Sequence, residues 1–192
     1  MNDKNISNFV FEMSQLRMLK HVGWNLIGNE NPHSVADHTT RAAQIGFILA
    51  KMENYKDPHE VSTMVVFHDM EECRVGDYHK VANRYIRVNK LEVVKEQTIG
   101  LGEIGKEIRE MWEHVENKDT AAGKIAKDAD LLETAFAAKE YMEKGYKNAE
   151  DWIKNVRKRL ITESALKLVD DLANANSNDW WQGLKEIPDV IR

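Results

Sequence analysis

His68 and Asp69 stand side by side at the end of an apolar run, Val61 to Phe67, that reads as one buried helix face. His38 lies upstream on a second apolar stripe, and Asp130 lies downstream on a third. Taking an imidazole or a carboxylate out of water costs free energy unless a partner offsets it. A shared divalent cation is one such partner; a metal-free His–Asp hydrogen-bond network is the other. Either way, three separate segments must turn these stripes toward one polar centre. Few folds satisfy that demand.

The rest of the chain supplies helices to do so. Only three prolines interrupt it, and helix formers dominate. A first helix is expected over about 5–20, with Phe9, Met13, Leu16 and Leu19 at helical spacing. Ser34 followed by Asp37 is an acidic capping box, and the stripe Ala42, Ile45, Leu49, Met52 steps back one turn to His38. Asp57-Pro58 opens a third helix, where Val61, Met64 and His68 share a face and Glu72 follows one turn later. Gly76-Asp77 reads as a turn, and 78–90 carries no legible period.

A helix over about 91–115 has glycines at 100, 102 and 105 as a break point. From 119 to 144 one helix edge carries Ile125, Ala129, Leu132 and Phe136, and the other Ala126, Asp130, Glu133 and Ala137. A final helix is expected over 149–174, followed by Trp180-Trp181 as an anchor for the tail or a subunit contact. No segment reads as a strand. The expectation is an all-α bundle around a metal site, one domain over 1–192 with its core at about 15–175.

Composition narrows the function. A formal charge of −5 over 192 residues argues against nucleic-acid binding, which needs a basic face, but leaves room for a small phosphorylated substrate. No apolar stretch approaches the about 20 residues that span a bilayer, and the opening Met-Asn-Asp-Lys-Asn has no signal-peptide pattern. The single cysteine, Cys73, reads as a packing residue in a reducing, cytoplasmic setting. Two imidazoles and two carboxylates suit Mn, Fe, Co, Ni or Zn, with Mg less favoured.

The ordered set Gly23-Trp24, Ser34-Val35-Ala36-Asp37-His38, His68-Asp69-Met70 with Glu72-Cys73 and Val75-Gly76-Asp77, and Asp130 with Glu133 resembles the HD-domain phosphohydrolase superfamily. The likeness is more specifically to its 5′-deoxynucleotidase subgroup, the HD-domain-containing protein 2-like enzymes, and spans about 15–175. It implies a divalent metal held by His38, His68, Asp69 and Asp130. It also implies that Glu72 handles protons at the attacking water or the leaving 5′-oxygen, and that Asp77 touches the sugar or organises the catalytic centre. Trp24 corresponds to a tryptophan lining the substrate pocket. Relatives of this kind act on nucleoside 5′-monophosphates and are commonly homodimers.

One departure stands out. Many relatives carry an arginine beside that tryptophan, whereas this chain reads Lys20-His21-Val22-Gly23. Lys20 or His21, or Arg17 reaching from the helix, is the expected replacement for phosphate binding, although lysine is not an equivalent fork. His21, His33, His59, His79 and His114 are expected at the surface, with His33 and His79 nearest the pocket. Two rival readings stay open: another superfamily reaction, on cyclic nucleotides or triphosphates, and a non-enzymatic metal-binding helical module.

Overall fold

In a computed structural model of the chain, residues 3–185 are described. Among them nine α-helices and several 3-10 turns occur, with no strand; one isolated bridge joins Lys20 to Ser34. The helices are α1 (Asp3–Met13), α2 (Val35–Met52), α3 (Pro58–Phe67), α4 (Glu72–Val75), α5 (Lys90–Thr98), α6 (Glu103–Asn117), α7 (Ala121–Glu143), α8 (Glu150–Arg157) and α9 (Glu163–Asp171). The expected all-α architecture is borne out.

The centre of the fold is the triangle of α2, α3 and α7. Ser34 Oγ accepts the Asp37 amide at 3.1 Å and the Asp37 carboxylate accepts the Ser34 amide at 2.9 Å, so the box expected from the sequence starts α2. Asp57 accepts the His59 and Glu60 amides at 3.1 and 3.2 Å and starts α3 on Pro58. Thr120 caps α7 through the Gly123 amide at 2.9 Å.

Small residues then let the three axes close up: Ala42, Gly46 and Ala50 on α2 face Val61 and Val65 on α3, and Ala122, Ala126 and Ala129 on α7. A methyl group at Gly46 would stand 3.3 Å from Val65 Cγ2 and 3.6 Å from Ala129 Cβ. Leu49, Val61, Val65 and Leu132 are fully buried around that contact. Each such side chain contributes about 2 kcal/mol.

Two element boundaries differ from expectation and a third falls where the glycines point. The first helix ends at Met13 and continues as a 3-10 turn, Ser14–Arg17, because Ser14 Oγ donates back to Phe11 O at 2.6 Å. The helix over 91–115 breaks between α5 and α6 at the expected glycines, where Gly102 adopts φ 63°, ψ −135°, a conformation open to glycine alone. The expected helix over 149–174 is two helices. Buried Asp128, in the middle of α7, accepts the Ile161 and Thr162 amides at 3.0 and 2.6 Å and fixes the start of α9.

Trp180 is 77% exposed and does not anchor the tail within this chain, whereas Trp181 beside it is half-buried. No helix among the described residues is long and apolar enough to cross a membrane.

Candidate metal centre

α3 does not run on through Glu72. It ends at Phe67 with His68 as its C-cap, and the next turns close by i→i+3 bonds, Met70 N–H to Phe67 O and Glu72 N–H to Asp69 O. On a regular helix adjacent side chains diverge by about 100°. Past the end of α3 the two neighbouring side chains nevertheless meet, with His68 Nε2 2.9 Å from Asp69 Oδ2. His38 joins them from the first turns of α2 and Asp130 from the middle of α7.

His38 Nε2 lies 3.4 Å from His68 Nε2, 3.3 Å from Asp130 Oδ1 and 3.7 Å from Asp69 Oδ2, and His68 Nε2 is 3.7 Å from Asp130 Oδ1. Donors about 2.0–2.2 Å from one ion sit roughly 3.0–3.5 Å apart at the corners of a coordination polyhedron. His38, His68 and Asp130 thus stand close enough together to share one divalent cation, and Asp69 Oδ2 flanks that point beside His68.

Neighbouring groups fix three of the four donors. His68 Nδ1–H donates to Val65 O at 2.7 Å, which leaves the Nε2 lone pair facing the centre. His38 Nδ1 pairs with Glu133 Oε2, and Glu133 Oε1 accepts a fork from Arg41 Nε and Nη2 at 3.0 and 2.7 Å. Arg41 Nη1 reaches on to Glu140 at 2.5 Å. Asp130 gives its other oxygen, Oδ2, to Lys127 at 3.0 Å.

Charge follows the same logic. Burial opposes protonation of His38, yet Asp130 and Glu133 overcome it and raise the imidazole to about 10. Burial likewise opposes a charged His68, and Asp69 and Asp130 raise it well above its usual value. The carboxylates that favour protons on these two rings equally favour a dication between them. Burial disfavours a charged Glu133, but His38 and Arg41 hold it down at about 2.

A cavity of about 250 Å³ opens over the cluster, and His38, Asp69 and Asp130 form part of its wall with Glu72 and Asp77. Burial, then Asp69, Asp77 and Glu71, push the Glu72 carboxyl up to about 10. Asp77 is also raised, by burial first, and its Oδ2 accepts the Val22 amide at 2.7 Å, tying the loop after α4 to the turn that carries Gly23 and Trp24.

The expected substrate contacts are placed differently. Arg17 and Lys20 are exposed and line no part of this cavity, since the 3-10 turn carries one outward and the bridge to Ser34 holds the other. Trp24 is 1% exposed and packs behind Trp152, ring centroids 5.4 Å apart, so Trp152 presents the aromatic wall.

His21 was expected at the surface. The pairing of 19–21 with 33–35 draws it inward, 4.7 Å from the His38 ring, and burial and then His38 lower it to about 4. Its Nδ1 meets His33 Nε2 at 3.2 Å, and His33 Nδ1 meets the Tyr141 hydroxyl at 3.1 Å. His21, His33, His38 and Glu133 thus approach one another closely, but Arg41 and His38 already engage both Glu133 oxygens. That grouping is a hydrogen-bond network behind the centre.

Sequence reasoning also missed Lys80 and Arg159, the lysine and arginine of this wall. No period or spacing links them.

Comparison with known proteins agrees with this geometry. Residues 13–169 match the HD domain family. The chain is 33% identical over 138 residues to the 5'-deoxynucleotidase HDDC2 of Dictyostelium discoideum, covering 66% of this chain and 72% of that protein. It is 26% identical over 182 residues to the Homo sapiens 5'-deoxynucleotidase HDDC2, covering 92% and 88%. A conserved hypothetical protein of Pyrococcus furiosus superposes with a TM-score of 0.71 at 24% identity, covering 88% of this chain and 99% of that one. The chain belongs to the HD domain family.

Proposed function

We propose that this protein is a metal-dependent phosphomonoesterase that releases phosphate from nucleoside 5′-monophosphates, with 2′-deoxyribonucleotides preferred. One observation carries the reading: His38 Nε2, His68 Nε2 and Asp130 Oδ1 lie 3.3–3.7 Å apart with Asp69 Oδ2 2.9 Å from His68 Nε2, beneath a cavity that also presents Glu72 and Asp77. His38, His68, Asp69 and Asp130 would hold the cation, drawn from Mn, Fe, Co, Ni, Zn or Mg. When bound, that ion supplies positive charge to a phosphoryl oxygen and makes water acidic enough to attack near neutral pH.

The chain's own groups supply the rest. Glu72, held protonated by burial and by three neighbouring carboxylates, is suited to giving its proton to the leaving 5′-oxygen. Asp77 positions the sugar end of the substrate against the Val22–Gly23 turn. Trp152 offers a face for the nucleoside, backed by Trp24.

The lysine and arginine on the wall, Lys80 and Arg159, provide charge for one phosphate rather than three, which favours the monophosphate over the triphosphate reading. A homodimer in a reducing cytoplasm belongs to the same reading, and sedimentation tests the dimer.

The direct test loads the purified protein with Mn, Co or Mg and assays phosphate release from all nucleoside 5′-monophosphates, ribo and deoxy. Turnover favouring deoxy substrates supports the reading. Release only from cyclic or triphosphate substrates moves it to another reaction of the superfamily. Stoichiometric metal without hydrolysis of any phosphoester leaves a binding module.

A further inference from the structure

Lys80 and Arg159 differ from the other cations near the site. Lys127 pairs with Asp130 and Glu116, Lys90 with Glu71, Arg41 with Glu133 and Glu140, and Arg74 with Glu12 and Glu96. Neither Lys80 nor Arg159 has a carboxylate partner among the described residues. They come from two separate segments, one from the loop after α4 and the other from the turn after α8.

Their charges also meet: burial and then the Arg159 guanidinium lower the Lys80 ammonium. Two like charges aimed into one opening repel, and an anion between them converts that repulsion into attraction. The floor of the cavity, with Asp69, Asp130, Glu72 and Asp77, is acidic. An oxyanion held there needs cations on its far side.

We propose that Lys80 and Arg159 are a phosphate-recognition pair, gripping the oxygens of the substrate phosphate that face away from the His38–His68–Asp69–Asp130 cluster. This rests on the monophosphate reading above and names the residues that give it specificity. Arg159 supplies the planar fork and Lys80 a mobile point charge. Together they fill the role that Arg17 and Lys20 cannot, since neither of those lines the cavity. The phosphate is thereby distinguished from an uncharged nucleoside at the same mouth.

The test is calorimetric binding of inorganic phosphate to the metal-loaded full chain, comparing wild type with Lys80→Ala, Arg159→Ala and the double variant. Each single variant should bind about tenfold more weakly, and the double about a hundredfold. Lys80→Arg should retain wild-type affinity. Metal stoichiometry and thermal midpoint should be unchanged, because both side chains are exposed. Phosphate affinity within twofold of wild type in the double variant overturns the proposal, as does a metal-loaded wild type that binds no phosphate.

Turnover separates this idea from the function beneath it. A protein that binds phosphate through the pair but hydrolyses no monophosphate refutes the function and leaves the pair standing. One that hydrolyses monophosphates with equal KM in the double variant refutes the pair and leaves the function.

Discussion

The floor and the mouth of the cavity are built by different means. On the floor, the donors sit on or at the ends of helices, the two imidazoles are almost fully buried, and three of the four have their second atom tied to a neighbour: Val65 O for His68, Glu133 for His38, Lys127 for Asp130. At the mouth, Lys80 and Arg159 are exposed, sit in turns and have no partner among the described residues. The floor holds its geometry before anything binds, as a cation with short, directional bonds demands. The mouth is left charged and free, as suits a substrate that must enter and leave.

Substitutions on the floor should therefore be severe. Asp69→Ala removes the donor 2.9 Å from His68 Nε2 and leaves Asp130 as the one carboxylate facing both rings at the centre. It should abolish metal retention, measured by elemental analysis, and lower kcat/KM by at least about a thousandfold. Glu72→Gln should keep the metal and lower kcat by roughly a hundredfold to ten-thousandfold. Loss of metal in that variant would make Glu72 a ligand and refute its assigned role. Glu133→Gln breaks the link between His38 and Arg41 and should weaken metal affinity by about 10- to 100-fold.

A pH effect sharpens the same contrast. His38 is raised to about 10 and His68 also well above its ordinary value, so both rings carry a proton at pH 7 until a cation replaces it. Metal uptake at pH 7 should release about two protons, and affinity should rise with pH until the rings deprotonate unaided. Calorimetry in buffers of different ionisation enthalpy counts them. The smallest effect belongs outside the cavity: Arg17→Ala and Lys20→Ala should change KM for a monophosphate by less than about twofold.

This division also sets what could be read from the sequence. His38 and Asp130 were visible because a 3.6-residue period puts them on stripes with Ala42, Leu49, Ala126 and Ala137, and the helix that carries His38 starts where its capping box says it should. Glu72 was visible only as one turn past His68; the tightened turn after Phe67 could not be read from residue types. Lys80 lies in the stretch with no period, and its approach to Arg159 is a tertiary fact.

The inward turn of His21 depends on a bridge between 20 and 34, and the break before α9 on a carboxylate 33 residues earlier in the chain. Local chemistry wrote the floor; long-range contacts wrote the mouth.

The central claim is that side chains from three distant segments hold one dication. Anomalous diffraction from manganese-soaked crystals tests it most directly. A single peak about 2.0–2.3 Å from His38 Nε2, His68 Nε2, Asp69 Oδ2 and Asp130 Oδ1 is the predicted result. Manganese bound elsewhere, or none at that point under saturating conditions, would contradict it.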